Sequence, residues 1–84
     1  MAETENLSLT AAWQLVAEGP GAVTLTAHVP DAFYALREAE GAPSGSLLGH
    51  ALVLRRDTSM QLETGTRVYA RGRPGILAWS KDAT

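Results

Sequence analysis

Residues Leu62 to Lys81, LETGTRVYARGRPGILAWSK, are the stretch whose reading decides the fold. Gly65 permits a turn at no steric cost. From Arg67 to Arg71, small apolar residues alternate with long amphipathic ones, the period-two pattern of a half-buried strand, with Val68 and Ala70 inward. Gly72-Arg73-Pro74-Gly75 combines two glycines with a proline of fixed φ, and it reads as a reversal that makes a hairpin of this strand and the next. The returning strand, Ile76-Leu77-Ala78-Trp79, carries Ile76 on one face and Leu77 with Trp79 on the other. A lone sheet would leave one of those faces in water, so a second sheet or a second subunit is expected to cover it.

Upstream of this stretch, Met60-Gln61-Leu62 reads as a short strand behind a polar turn, Arg55 to Ser59. Gly49 to Leu54 alternates, with His50, Leu52 and Leu54 opposing Ala51 and Val53, and Glu40 to Ser46 is a loop rich in glycine, serine and proline. Phe33 to Arg37 is aromatic enough for a strand, although Asp31 to Ala39 also scores as a short helix. Ala22 to Val29 is the clearest strand, with Val23, Leu25, Ala27 and Val29 on one face and Thr24, Thr26 and His28 on the other.

Leu7, Leu9, Ala11, Trp13, Leu15 and Ala17 share one parity, so an extended segment would present them on one face. A helix capped by Thr10 over Ala11 to Glu18 competes, but Gly19-Pro20-Gly21 leads straight into the next strand and favours the extended form. Met1 to Asn6 is acidic and polar. Residues 1–10 are therefore expected to be a flexible or exchanged N-terminal arm, and residues 11–84 a single β domain. With about seven short antiparallel strands, punctuated every roughly eight to twelve residues, the pattern predicts an all-β fold, a compact small β-sandwich or barrel with an extended N-terminal arm.

A chain of 84 residues without cysteine has neither disulfides nor thiolate metal sites to reinforce a small core. Association with its own copies or with a larger body is the expected route to stability. The net charge of −2 does not mark a polyanion binder, but the signs are unevenly distributed. Before Leu54, Glu3, Glu5, Glu18, Asp31, Glu38 and Glu40 face only Arg37. From Arg55 onward, Arg55, Arg56, Arg67, Arg71, Arg73 and Lys81 outnumber Asp57, Glu63 and Asp82. The two halves either pair within one domain or complement each other between copies. No apolar run approaches a membrane span and no basic, apolar leader opens the chain, so a soluble protein made in the cytoplasm is expected.

Candidate chemistry is sparse. Ser44, Ser46, His28, His50 and Asp57 stand in no nucleophile frame, and the two histidines lack metal-ligand spacing, so no catalytic residue, metal or cofactor is expected. A small barrel that binds nucleic acid would stack bases on Tyr69 and Trp79 beside Arg67, Arg71 and Arg73, but the acidic balance and single lysine oppose it. A glycan site would need an exposed shelf from Trp13, Tyr34 or Trp79.

The Ala12-Trp13-Gln14-Leu15-Val16 segment precedes a valine and threonine strand. The Pro43 to His50 turn region follows, then Gly65-Thr66-Arg67-Val68-Tyr69-Ala70-Arg71-Gly72 with the closing Ile76-Leu77-Ala78-Trp79. In this order of features the chain resembles small virion proteins of tailed bacteriophages. The resemblance implies head decoration (cement), or the base of a head or tail fibre with a receptor or glycan role, built as a compact and often trimeric β domain. It implies the major capsid protein or another virion protein as partner and brings no catalytic residues. Leu7 and Leu9 at the base of the arm, Trp13 in the early segment, and Arg71, Arg73 and Trp79 at the hairpin end are the candidate protein-contact residues.

Overall fold

A computed structural model describes residues 3–38 and 41–82. The described residues form β1 (Thr4–Leu9), β2 (Gln14–Glu18), β3 (Gly21–Ala27), β4 (Ala32–Arg37), β5 (His50–Leu52), β6 (Asp57–Leu62), β7 (Arg67–Gly72) and β8 (Gly75–Asp82). They make two four-stranded antiparallel sheets, ordered β1-β8-β3-β6 and β2-β7-β4-β5, packed as a β-sandwich. Both segments that also scored as helix, Ala11 to Glu18 and Asp31 to Ala39, carry strands instead, with Ala39 outside the described residues.

The alternation in β3 is realised in full: Val23, Leu25 and Ala27 are buried and Thr24 and Thr26 face outward. Register carries this parity across the sheet, since Leu25 opposes Trp79 and Ala27 opposes Leu77. Val68 and Ala70 bury the facing side from β7. The core joins Leu9, Val23, Leu25, Leu62, Val68 and Leu77 across the two sheets, each such side chain contributing about 1.5–3 kcal/mol on burial.

The expected hairpin does not form. β7 pairs with β2 and β4, whereas β8 pairs with β1 and β3, so the link through Arg73 and Pro74 carries the chain round a corner into the other sheet. A two-residue hairpin needs a positive φ at its first central residue or at both, and neither Arg73 nor Pro74 has one. Gly72 also packs so closely that a Cβ there would lie 2.9 Å from the Cα of Ala32. The second sheet, and not a second subunit, covers the Leu77 and Trp79 face.

The N-terminal segment also departs from expectation. Thr4–Leu9 is an edge strand paired along its whole length with β8, and Leu9 is buried, because its parity places Leu7 and Leu9 on the core face. Met1 and Ala2 lie outside the described residues. The single parity from Leu7 to Ala17 breaks where the chain crosses between sheets at residues 10–13. A register shift between Leu15 and Ala17 then buries Val16 and Ala17 together and leaves Leu15 about half exposed. This crossing raises the strand number to eight.

β5 is shorter than the alternation from Gly49 to Leu54 suggests. Gly49 has φ 76° and Arg55 φ 62°, and the Arg56 N–H closes a turn on the Val53 carbonyl at 3.1 Å, so only His50–Leu52 stays extended. The polar turn expected over Arg55 to Ser59 is correspondingly short, and Asp57 to Ser59 begin β6.

Leu77→Ala is expected to destabilise the protein by about 2–5 kcal/mol in urea unfolding, whereas Ile76→Ala, on the outer face, stays within about 0.5 kcal/mol. The reverse order would mean that β8 is paired one residue out of register.

Candidate functional site

The outer face of the β2-β7-β4-β5 sheet is built from the side chains that β7 and β4 turn away from the core. Cross-strand register sets Leu15, Tyr69 and Ala35 in one row and Arg71 and Phe33 in the next. Trp13, on the link between β1 and β2, lies over the first row and forms a second small buried cluster with Tyr69 and Ala35, Phe33 packing at its margin. Its Nε1 is buried and meets no acceptor among the described residues.

Arg71 locks this tryptophan in place. Its guanidinium carbon stands 4.6 Å from the Trp13 ring centroid, a cation–π arrangement, while its terminal nitrogens donate to the carbonyls of Gly45 at 2.8 Å and Leu47 at 2.6 Å. The β4–β5 loop is thereby drawn over the sheet. Gly49 completes the lid: a Cβ there would stand 2.7 Å from Trp13 Cη2 and 2.8 Å from the Tyr34 carbonyl, and its φ of 76° favours glycine as well.

Beside Trp13 a shallow groove of about 390 Å³ is lined by Ala11, Phe33, Arg71, Gly72, Arg73 and Pro74. Its lining is chiefly carbon. Arg73 stands at the rim, its Nε 2.9 Å from Asp31 Oδ2 in a pair that is mostly exposed. Such a site offers an apolar floor with guanidinium at its edge, the composition of a protein-contact patch.

Trp13, Arg71 and Arg73 thus come together, and the other candidate residues do not join them. Leu9 is core, and Leu7 and Trp79 pack partly buried against it. Tyr69 and Trp79 belong to different sheets and form no common stacking platform. Trp13, Tyr34 and Trp79 do not make one exposed shelf, since Trp13 is buried and the other two pack on the core. His28 is exposed beyond β3, and His50 packs its ring 5.1 Å from that of Tyr34. Among the described residues no group of three His, Asp or Glu is placed to hold a metal ion.

Phe33, Ala11 and Pro74 were not anticipated as site residues, because nothing in the local pattern brings β4, the β1–β2 link and the β7–β8 corner together. The opposite face, on the β1-β8-β3-β6 sheet, carries a row of hydroxyls. Thr4, Ser80, Thr24 and Ser59 form one row across all four strands, and the last two share a hydrogen bond at 3.0 Å. Compared with known protein families, curated proteins and solved structures, the chain matches none.

Replacing Arg71 by alanine removes two charge-assisted hydrogen bonds, each of a kind worth about 1.5–3 kcal/mol. Faster amide exchange at residues 45–49 and a red shift of the tryptophan emission are expected. Arg73→Ala should leave both unchanged, its exposed pair contributing at most about 1 kcal/mol. Equal responses from the two variants would mean that Arg71 does not hold the loop.

Proposed function

We propose that this chain is a non-enzymatic structural protein of a tailed-phage virion, decorating and stabilising the capsid exterior through protein–protein contacts. The reading joins the resemblance to one observation. The surface carries large apolar side chains, among them Leu15, Leu36, Leu48, Val53 and Leu54, on a sandwich whose edge strands β1, β2, β5 and β6 each have one unpaired side. Apolar groups and open strand edges are the means by which proteins dock on proteins.

The docking surface favoured on this reading is the groove floored by Phe33, with Arg71 and Arg73 at its edge. Leu7 and Leu9 are not available for it, because they face the core of their own domain. The protein is made in the host cytoplasm and ends in the virion, bound to the major capsid protein or another virion protein. Association with its own copies, with a trimer favoured, completes the proposal.

Mixing the purified chain with phage heads that lack it, sedimenting the particles and imaging them by electron microscopy tests this. The chain should pellet with the heads and add density to their exterior. Phe33→Glu should weaken binding to the heads at least tenfold in Kd, equivalent to about 1.4 kcal/mol, with its circular dichroism unchanged. Removing residues 1–10, by contrast, should abolish folding as well as binding, because β1 and the buried Leu9 go with it. A chain that stays in the supernatant with intact heads removes the proposal.

A further inference from the structure

The folded chain re-sorts its charges by end of the sandwich. The short links fix which strand termini lie together: β2 to β3 and β6 to β7 turn at one end, while β1 to β2, β3 to β4, β5 to β6 and β7 to β8 turn at the other. At the first end Glu3, Glu18, Glu38, Glu63 and Asp82 face Arg37, Arg67 and Lys81. At the second, Arg55, Arg56, Arg71 and Arg73 face Asp31 and Asp57. One end is therefore acidic and the other basic.

Each end also carries a shaped element with apolar surface. At the acidic end a groove of about 410 Å³ opens between the sheets, lined by Leu36, Arg37, Glu38, Gln61, Glu63 and Thr66. It exists because β5 pairs with β4 only from Ala32 to Tyr34, leaving the end of β4 from Ala35 to Arg37 uncovered on that edge and Leu36 about half exposed. At the basic end the Val53–Arg56 turn projects Val53, Leu54, Arg55 and Arg56, all exposed. Among the described residues neither Arg55, Arg56, Glu38 nor Glu63 has an ion-pair partner within the chain.

We propose that copies of this chain associate head to tail, the Val53–Arg56 turn of one copy seating in the groove lined by Leu36, Glu38 and Glu63 at the opposite end of the next. Val53 and Leu54 cover Leu36, and Arg55 and Arg56 meet the two carboxylates. The partner is a second copy because the two halves of the contact, acid-rimmed groove and basic apolar tip, sit on one chain at opposite ends. Such a contact is heterologous, so it closes into a ring or continues as a file of subunits. One turn in one groove buries little area, so the association is weak and concentration-dependent. Its charge component is screened by salt. This inference does not depend on the virion reading, since it concerns the purified protein alone.

Sedimentation velocity on the full chain tests it. The weight-average mass should rise with protein concentration in about 20 mM salt and the rise should shrink in about 0.5 M salt. Two double variants carry the decisive comparison. Arg55→Glu with Arg56→Glu leaves both ends acidic, and Glu38→Arg with Glu63→Arg leaves the groove end basic as well as the turn end. Each alone, with wild-type circular dichroism, should weaken association at least tenfold, and an equimolar mixture of the two should restore it because unlike ends again face each other. A monomeric wild type at every concentration in low salt overturns the proposal. So does wild-type association by either variant alone, or a mixture of folded variants that stays monomeric.

Discussion

The structure depends on burying one inward stripe from each sheet against the other, Leu25, Val23 and Leu77 against Val68 and Ala70. The connectivity makes this constraint strict. Every link except the one between β4 and β5 crosses from sheet to sheet, so apart from the short β4–β5 pair no sequence-adjacent strands can form a hairpin and await their partners. A strand pair such as β3 and β8 joins residues far apart in the chain, and its loop-closure entropy is recovered only when both sheets are in place. Folding of this sandwich is accordingly an all-or-none event in which the core and the pairing form together.

That same connectivity explains which parts of the fold were legible in the sequence. Parity is a local property, and where a strand lies wholly in one sheet it was read correctly: Val23, Leu25 and Ala27 in β3, Val68 and Ala70 in β7. Pairing is not local. Gly72-Arg73-Pro74-Gly75 has the residue types of a reversal, but its φ values turn a corner between sheets, a distinction that composition does not carry. The parity from Leu7 to Ala17 fails for a related reason, since it runs through a crossing and then a register shift. Trp13 shares the parity of Leu7 and Leu9 in the sequence, and it is buried, yet on the outer face of the other sheet. The candidate residues Trp13, Arg71 and Arg73 are picked out by their places in the sequence, the early tryptophan segment and the glycine-proline link after β7. Phe33 and Gly49 were missed because their role comes from elements that meet only in the folded chain.

The uneven sign of the sequence has a similar history. The first-half acids and second-half bases do pair across the domain at Arg67 with Glu18, 3.3 Å apart, and at Arg73 with Asp31. Those pairs are exposed to differing degrees and individually weak. The remaining charges are sorted by the turns that carry them. A turn joining two strands of a sandwich must lie at one end or the other, so the residues in it, which are polar because turns face water, give each end its sign. Arg55 and Arg56 in one turn and Glu63 in another then create a field along the strand direction, without any long-range design in the order of charges.

A sandwich with four edge strands must also deal with backbone groups that have no partner on one side. Here β2 carries a register shift and β5 is cut to His50–Leu52, while β1 has Glu5 within it and β6 begins at Asp57. Shortening β5 has a second effect. It ends the sheet before Leu36, so the gap that keeps this edge from pairing with another strand is also the gap that forms the acid-rimmed groove. Edge protection and an end groove are then two results of one feature, Gly49 at φ 76°, which turns the chain just as it enters β5 and at the same time lets the loop close on Trp13. A β-carbon at this position would disturb both, which ties the lid on one face to the opening at the end of the sandwich through a single backbone angle.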